Sequence, residues 1–396
     1  MMGFFKKAFG LAAGLAMLSI AYAKLDLNSN STVAVYWGQN SFRGSGDLAQ
    51  QRLSYYCNDS NIDVLILAFV MRVNGMGGAP EVDFSTASEK CDTFPGTNLK
   101  NCPEIGADIT TCQQKGKTII LSIGGATYSE GGFQSQSAAE AGADLIWATF
   151  GPNTNSSAHR PFGDAAVNGF DFDFEAGVSN MAPFASRLRT LGDAGPNKPF
   201  FLTAAPQCPY PDAADKDILN GPVSVDAVWV QFYNNYCGVN AYVAGQQQQN
   251  NFNFEQWDNW AKTVSQNKQA KVYLGVAANT GAASTGYLPI AQLDPVIAFS
   301  QQFSSFGGVM MWDVTQAYGN SGFLDGLHQA LGKTPTQHAQ LQQESQQQTN
   351  QHQHQQPQDQ DQDEDEDEDE QEQPHQHRPL IPSIFDLDDD LDWIGI

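Results

Sequence analysis

Val167 to Glu175 reads VNGFDFDFE, and its alternation decides the fold. Side chains along a β-strand point to opposite faces in turn, so Asp171, Asp173 and Glu175 share one face and Phe170, Phe172 and Phe174 the other. Three carboxylates on one face repel one another and are costly to bury, so that face must use or compensate charge. Both faces are served if the strand belongs to a (β/α)8 barrel. The phenylalanines then pack on the helix layer, the acids face the axis, and Glu175 emerges at the C-terminal rim, where barrel active sites lie.

Outward from this strand, the chain offers eight β-rich runs: 32–37, 64–69, 118–123, 169–174, 200–205, 227–232, 271–276 and 308–312. They are too apolar for half-solvated strands, and the intervals between them have room for helices, so they read as a buried parallel sheet. Residues 24–333 have the length of one barrel domain, and the predicted class is α/β, a (β/α)8 TIM barrel. The structural rival is a doubly wound open sheet.

The ends of the chain differ from this middle. Lys6 and Lys7, an apolar run from Ala8 to Ile20 and Ala21-Tyr22-Ala23 form a secretory signal pattern over residues 1–23. The apolar run is shorter than the roughly 20 residues that span a bilayer, which disfavours a membrane anchor. The predicted product is secreted and extracellular, with cell-wall association as a further expectation. From 334 to 396 the chain is Gln/His-rich, then Asp/Glu-rich, and cannot bury enough apolar surface to offset chain entropy, so this acidic C-terminal extension is predicted to be disordered. It carries 17 of the 44 acids and one of the 20 bases, and so most of the net charge of −24. Nucleic acid is disfavoured as a partner, because phosphate binding needs basic patches.

Six cysteines in an exported chain predict three disulfides rather than a metal site, with 15 pairings open. Asn30, Asn58 and Asn155 each begin an N-glycosylation sequon. Zinc-type cysteine spacing is absent, and five of the seven histidines fall in the tail, so no metal is expected.

Other strand ends add chemistry to the acid triplet. The third strand ends Ser122-Ile123-Gly124-Gly125, where paired glycines let the backbone pass close to a ligand. The first ends Tyr36-Trp37-Gly38-Gln39-Asn40, the sixth Gln231-Phe232-Tyr233-Asn234-Asn235, and the eighth Met311-Trp312-Asp313. Aromatic faces suit the apolar faces of pyranose rings, while amides and phenols suit their hydroxyls. Crowded acids cannot all ionise cheaply, so Glu175 can stay protonated as a general acid. Coordination of a divalent cation by the triplet is the chemical rival, though no further ligand cluster accompanies it.

Together these motifs resemble the family 18 glycoside hydrolases, in particular class III chitinases of the hevamine type. The resemblance runs from Ser31 to Leu331 and rests on AVYWGQN (34–40), SIGG (122–125), the DxxDxDxE-like strand with Asn168 in place of its first Asp, LTAAPQCPYPD (202–212), VWVQFYNN (228–235) and GGVMMW (307–312). It implies a retaining endochitinase that uses the substrate's own acetamido group and needs no cofactor, one of the exceptions to the two-carboxylate scheme. Chitin and chitooligosaccharides would be its partners, with no nucleic acid and no membrane, and the protein would be a monomer.

By the same resemblance, Glu175 is the acid, Asp173 orients the acetamido group, Asp171 shares a proton with Asp173, and Tyr233 donates to the acetamido oxygen. Gln231, Trp312, Tyr36, Phe69, Gly125 and Met310 would contact sugar. The disulfides would be Cys57 with Cys112, Cys91 with Cys102 and Cys208 with Cys237, and non-proline cis peptides are expected at Ala68-Phe69 and Trp312-Asp313. About 30 residues between the last two strands leave no room for the additional α+β domain of some relatives, so an open groove is expected. The alternative is a non-catalytic chitin-binding lectin on the same barrel. A third reading makes the protein structural, with its function in the tail.

Overall fold

The computed structural model describes residues 25–152 and 157–332. The signal pattern, Asn155 and the acidic tail lie outside the described residues. Eight parallel strands follow one another: β1 (Thr32–Trp37), β2 (Val64–Arg72), β3 (Thr118–Gly124), β4 (Gly169–Asp173), β5 (Phe201–Ala204), β6 (Ala227–Gln231), β7 (Lys271–Ala277) and β8 (Phe306–Trp312). Each pairs with the next, and β8 returns to β1 with Val33 beside Val309. The sheet therefore closes into the TIM barrel, and the open-sheet rival is excluded. β2 runs three residues beyond its predicted end because Val70 and Arg72 pair with a short antiparallel strand, Glu81–Val82.

Alternation sorts every strand into two layers. Tyr36, Ile66, Ile120, Phe201, Trp229, Tyr273 and Met310 fill the barrel interior. Val35, Leu65, Phe170, Phe172 and Phe174 belong to the outer core beneath the helices. Phe172 meets Phe184 of the helix Met181–Ala194 at 6.1 Å between ring centroids, and Phe170 meets Phe200 at 5.4 Å. Burial of each such ring contributes about 1.5–3 kcal/mol, and it fixes the direction in which Asp171 and Asp173 point.

Two of the helices start where the sequence supplies end groups. Pro103 opens the helix Pro103–Gln114, where its missing N–H leaves no bond unmade. The Ser135 hydroxyl accepts from the Ala138 amide at 3.2 Å at the start of Gln136–Phe150. Between β7 and β8 the chain forms loops and the helix Ile290–Ser300. The β1–β8 seam requires Gly308, whose φ is 139° and where a Cβ would lie 1.9 Å from the Thr32 carbonyl oxygen.

The cysteines pair as Cys57–Cys112, Cys91–Cys102 and Cys208–Cys237, the scheme the family resemblance implied. Asn30 and Asn58 are exposed. Among the described residues no helix is long and apolar enough to cross a membrane.

Candidate active site

The register of β4 places its acids. Asp171 lies level with Ser122 on β3 and Thr203 on β5. It accepts hydrogen bonds from the hydroxyls of Ser122 at 2.7 Å, Thr203 at 2.7 Å and Tyr36 at 2.8 Å. Burial pushes this fully buried carboxyl above its ordinary range, while the three hydroxyls oppose that shift by favouring the charged form.

Asp173 stands two residues nearer the rim and is almost fully buried. Its Oδ1 accepts from Gln231 Nε2 at 3.0 Å, and the same nitrogen donates to the Ala205 carbonyl at 2.9 Å. Burial first, then the neighbouring Glu175, Asp171 and Asp212, hold the Asp173 carboxyl well above the usual range. Glu175 lies two residues past the end of β4 and is exposed. Protein nonetheless crowds its carboxyl, and this desolvation, followed by the charge of Asp212, raises its hold on a proton. The Tyr233 phenol, pushed well up by burial and then by Asp173 and Glu175, remains a proton donor.

Asp173, Glu175, Gln231 and Tyr233 line one cleft of about 210 Å³ together with Tyr36, Phe69 and Trp312. The aromatic members form a platform: Trp312 stacks on Phe69 at 6.0 Å and 19°, and lies 5.5 Å from Tyr36. The Ala68-Phe69 and Trp312-Asp313 peptides are both cis. Gly125 sits behind the platform, with φ of 86° and space so tight that a Cβ would meet the Phe69 ring at 2.7 Å. Its amide donates to the Asp173 carbonyl at 2.7 Å.

Three expectations need correction. Gly125, expected to touch sugar, is buried behind Phe69 and does not line the cleft. Met310, expected to touch sugar, is fully buried in the barrel interior and does not line the cleft, because it lies two residues below Trp312 on the same face of β8. Trp37, noted as a strand-end aromatic suited to sugar, faces the helix layer, where its indole donates to the Gln51 carbonyl at 3.0 Å and its ring stacks on Phe84.

The structure also adds residues. Gln39, Thr127 and Asn234 line the cleft; Gln39 and Asn234 stand in the strand-end motifs, three residues past Tyr36 and one past Tyr233. Asp212 and Asp215 crowd the acids from the loop after β5; Asp212 closes the LTAAPQCPYPD motif, but the sequence alone assigns neither residue a role. Among the described residues no group of three or more His, Cys, Asp or Glu is arranged to hold a metal ion.

A parallel barrel with a carboxylate row rising to its rim, beside amides and an aromatic platform, defines a carbohydrate-processing site. The chain belongs to the glycosyl hydrolases family 18, whose family model matches residues 32–292. It is 51% identical to the class III chitinase of Arthroderma benhamiae, over 82% of this chain and 93% of that protein. It is 47% identical to endochitinase 33 of Trichoderma harzianum, over 79% and 95% respectively. Among solved structures it is similar to a xylanase-α-amylase inhibitor protein in complex with trehalose, with TM-score 0.60 and 32% identity, covering 76% of this chain and 98% of that one.

Proposed function

We propose that the protein is a chitinase that hydrolyses β-1,4 linkages between N-acetylglucosamine units with retention of anomeric configuration. The observation that carries this reading is Asp173, fixed by Gln231 inside the cleft that Glu175 and Tyr233 also line. Glu175 donates its proton to the glycosidic oxygen as the C–O bond to the leaving sugar breaks. The acetamido oxygen of the sugar on the other side attacks the anomeric carbon, giving an oxazolinium ion. Asp173 holds the acetamido N–H and offsets the positive charge, while Tyr233 donates to the acetamido oxygen. Asp171, which accepts three hydroxyls, shares a proton with Asp173 and takes it up as the cation forms, so that Asp173 carries the negative charge at that moment. Glu175, now ionised, takes a proton from water as its oxygen adds to the anomeric carbon and opens the ring. Gln231 and the platform of Tyr36, Phe69 and Trp312 hold the sugar.

The groove is open, and cleavage is of the endo type. The signal pattern at 1–23 directs the chain out of the cell, residues 24–333 form the catalytic domain, and 334–396 is an appended tail that can hold the protein at a cell wall. The lectin alternative is not favoured, because Glu175, Asp173 and Tyr233 stand together in the cleft.

The test is hydrolysis of a soluble N-acetylglucosamine oligomer by the protein and by Glu175→Gln, with the first product followed by NMR. Release of the β-anomer by the wild type, and loss of about 10²–10⁴-fold in kcat in the variant, are expected. Binding without cleavage by both proteins would overturn this reading in favour of the lectin.

A further inference from the structure

Glu175 lines two cavities. Besides the cleft with Asp173 and Tyr233, it faces a second cavity of about 220 Å³ shared with Asp212 and Gln207. The other lining residues of that second space are apolar, among them Phe174, Pro209 and Pro211. Among the described residues, no Lys, Arg or His lines either cavity. A negative charge on this wall acts on Glu175 with no opposing cation in the lining of either cavity.

Asp212 is built into that wall as a fixed group. Its Oδ1 accepts from the amides of Ala214 at 2.8 Å and Asp215 at 2.6 Å, and its Oδ2 from the amide of Gln207 at 3.0 Å. Burial raises its carboxyl, while these three amides favour the charged form. Asp215 is fully buried, and its carboxyl is pushed well above the usual range by burial and then by Asp212, Asp173 and Asp171, whereas Asp212 has three amides that favour its charged form. The loop cannot drift from the site. Cys208 is bonded to Cys237, its amide donates to the Gln231 carbonyl at 3.2 Å, and the Gln207 side chain accepts from Asn235 at 3.2 Å.

We propose that Asp212 is a positioning residue: a fixed negative charge on the far wall of the Glu175 cavity that keeps the proton on Glu175 until it is given to the glycosidic oxygen. This rests on the catalytic reading given above. The other titratable groups facing Glu175 are Asp173 on its own strand, whose carboxyl burial holds well above the usual range, and the Tyr233 phenol at the end of β6; Asp212, whose carboxylate accepts three backbone amides, is the acid here that the structure equips to carry charge.

The test is a ¹³C NMR titration of the Glu175 carboxyl, assigned with Glu175→Gln, in the wild type, in Asp212→Asn and in Ala213→Lys, which adds a cation at an exposed position of the same wall. Both variants should move the Glu175 midpoint to lower pH, by roughly one unit, or about tenfold in ionisation constant. The basic limb of the kcat profile should move with it, while Asp212→Glu retains the wild-type limb. If Asp212→Asn does not fold, Ala213→Lys still reports. An unmoved midpoint in the folded variants, or a uniform loss of activity at all pH values, would overturn the proposal. A wild type that shows the raised midpoint but cleaves no oligomer would instead overturn the catalytic reading, leaving the charge relationship intact.

Discussion

One nitrogen of Gln231 serves two acceptors: it donates to Asp173 Oδ1 at 3.0 Å and to the Ala205 carbonyl at 2.9 Å. Both protons of the amide are spent, so the amide oxygen remains to accept from a sugar, and the Asp173 carboxyl is held in one rotamer. Gln231→Leu should leave that buried carboxyl short of a partner, lowering stability by about 1–3 kcal/mol. Misplacing Asp173 should lower kcat by up to about 10²-fold. Thermal unfolding and oligomer kinetics check both, and a variant with wild-type kcat would refute the role given to this amide.

Stability should fall as pH rises. Asp171, Asp173 and Asp215 hold protons above the ordinary carboxylate range, with burial the first cause in each case. A folded-state pKa above the unfolded one gives stabilisation that is complete below the ordinary range and is lost as pH climbs through the raised folded values. The melting temperature should therefore decline as pH rises above the ordinary carboxylate range of about 4, and Asp215→Asn, neutral throughout, should flatten the slope. An equally steep slope in that variant would show that the loss comes from elsewhere.

Gly125→Ala separates binding from chemistry. The added methyl meets the Phe69 ring at 2.7 Å on a backbone of positive φ, so the ring must shift on the platform while the acids keep their strand. KM should rise severalfold, with stability lowered by about 1–3 kcal/mol. An unchanged KM would mean that Phe69 does not support the sugar.

Replacing Cys208 and Cys237 by alanine releases a loop of 29 residues. About 3.6 kcal/mol of stability should be lost by the chain-entropy argument, checked by denaturant unfolding. The loop also carries Asp212, so kcat should fall further at neutral pH than at acid pH. Equal loss at every pH would uncouple the disulfide from the acid.

The barrel was legible because strand parity was legible. VNGFDFDFE could satisfy its acids and its phenylalanines only with helices on one side and a closed interior on the other, and the eight runs matched the strands to within about three residues. The same parity rule, applied to Tyr36 and Trp37, would have sent the tryptophan outward; adjacent residues of one strand cannot both face the groove. Met310 failed for a different reason: it shares a face with Trp312 but lies deeper, and depth along a barrel axis depends on strand stagger that a sequence pattern does not reveal. Asp212 and Asp215 were hidden because their proximity to β4 arises from a loop of β5 folding across the rim. Ser122 and Thr203 became partners of Asp171 through sheet register, which no single strand displays.

The aromatic platform straddles the seam where the barrel closes: Tyr36 comes from β1, Phe69 from β2 and Trp312 from the last residue of β8. A growing polypeptide therefore has its acids long before it has a surface to lay a sugar on. The capacity to grip a polymer arrives only once β8 has been made, after every residue of the acid row and of the loops that surround it.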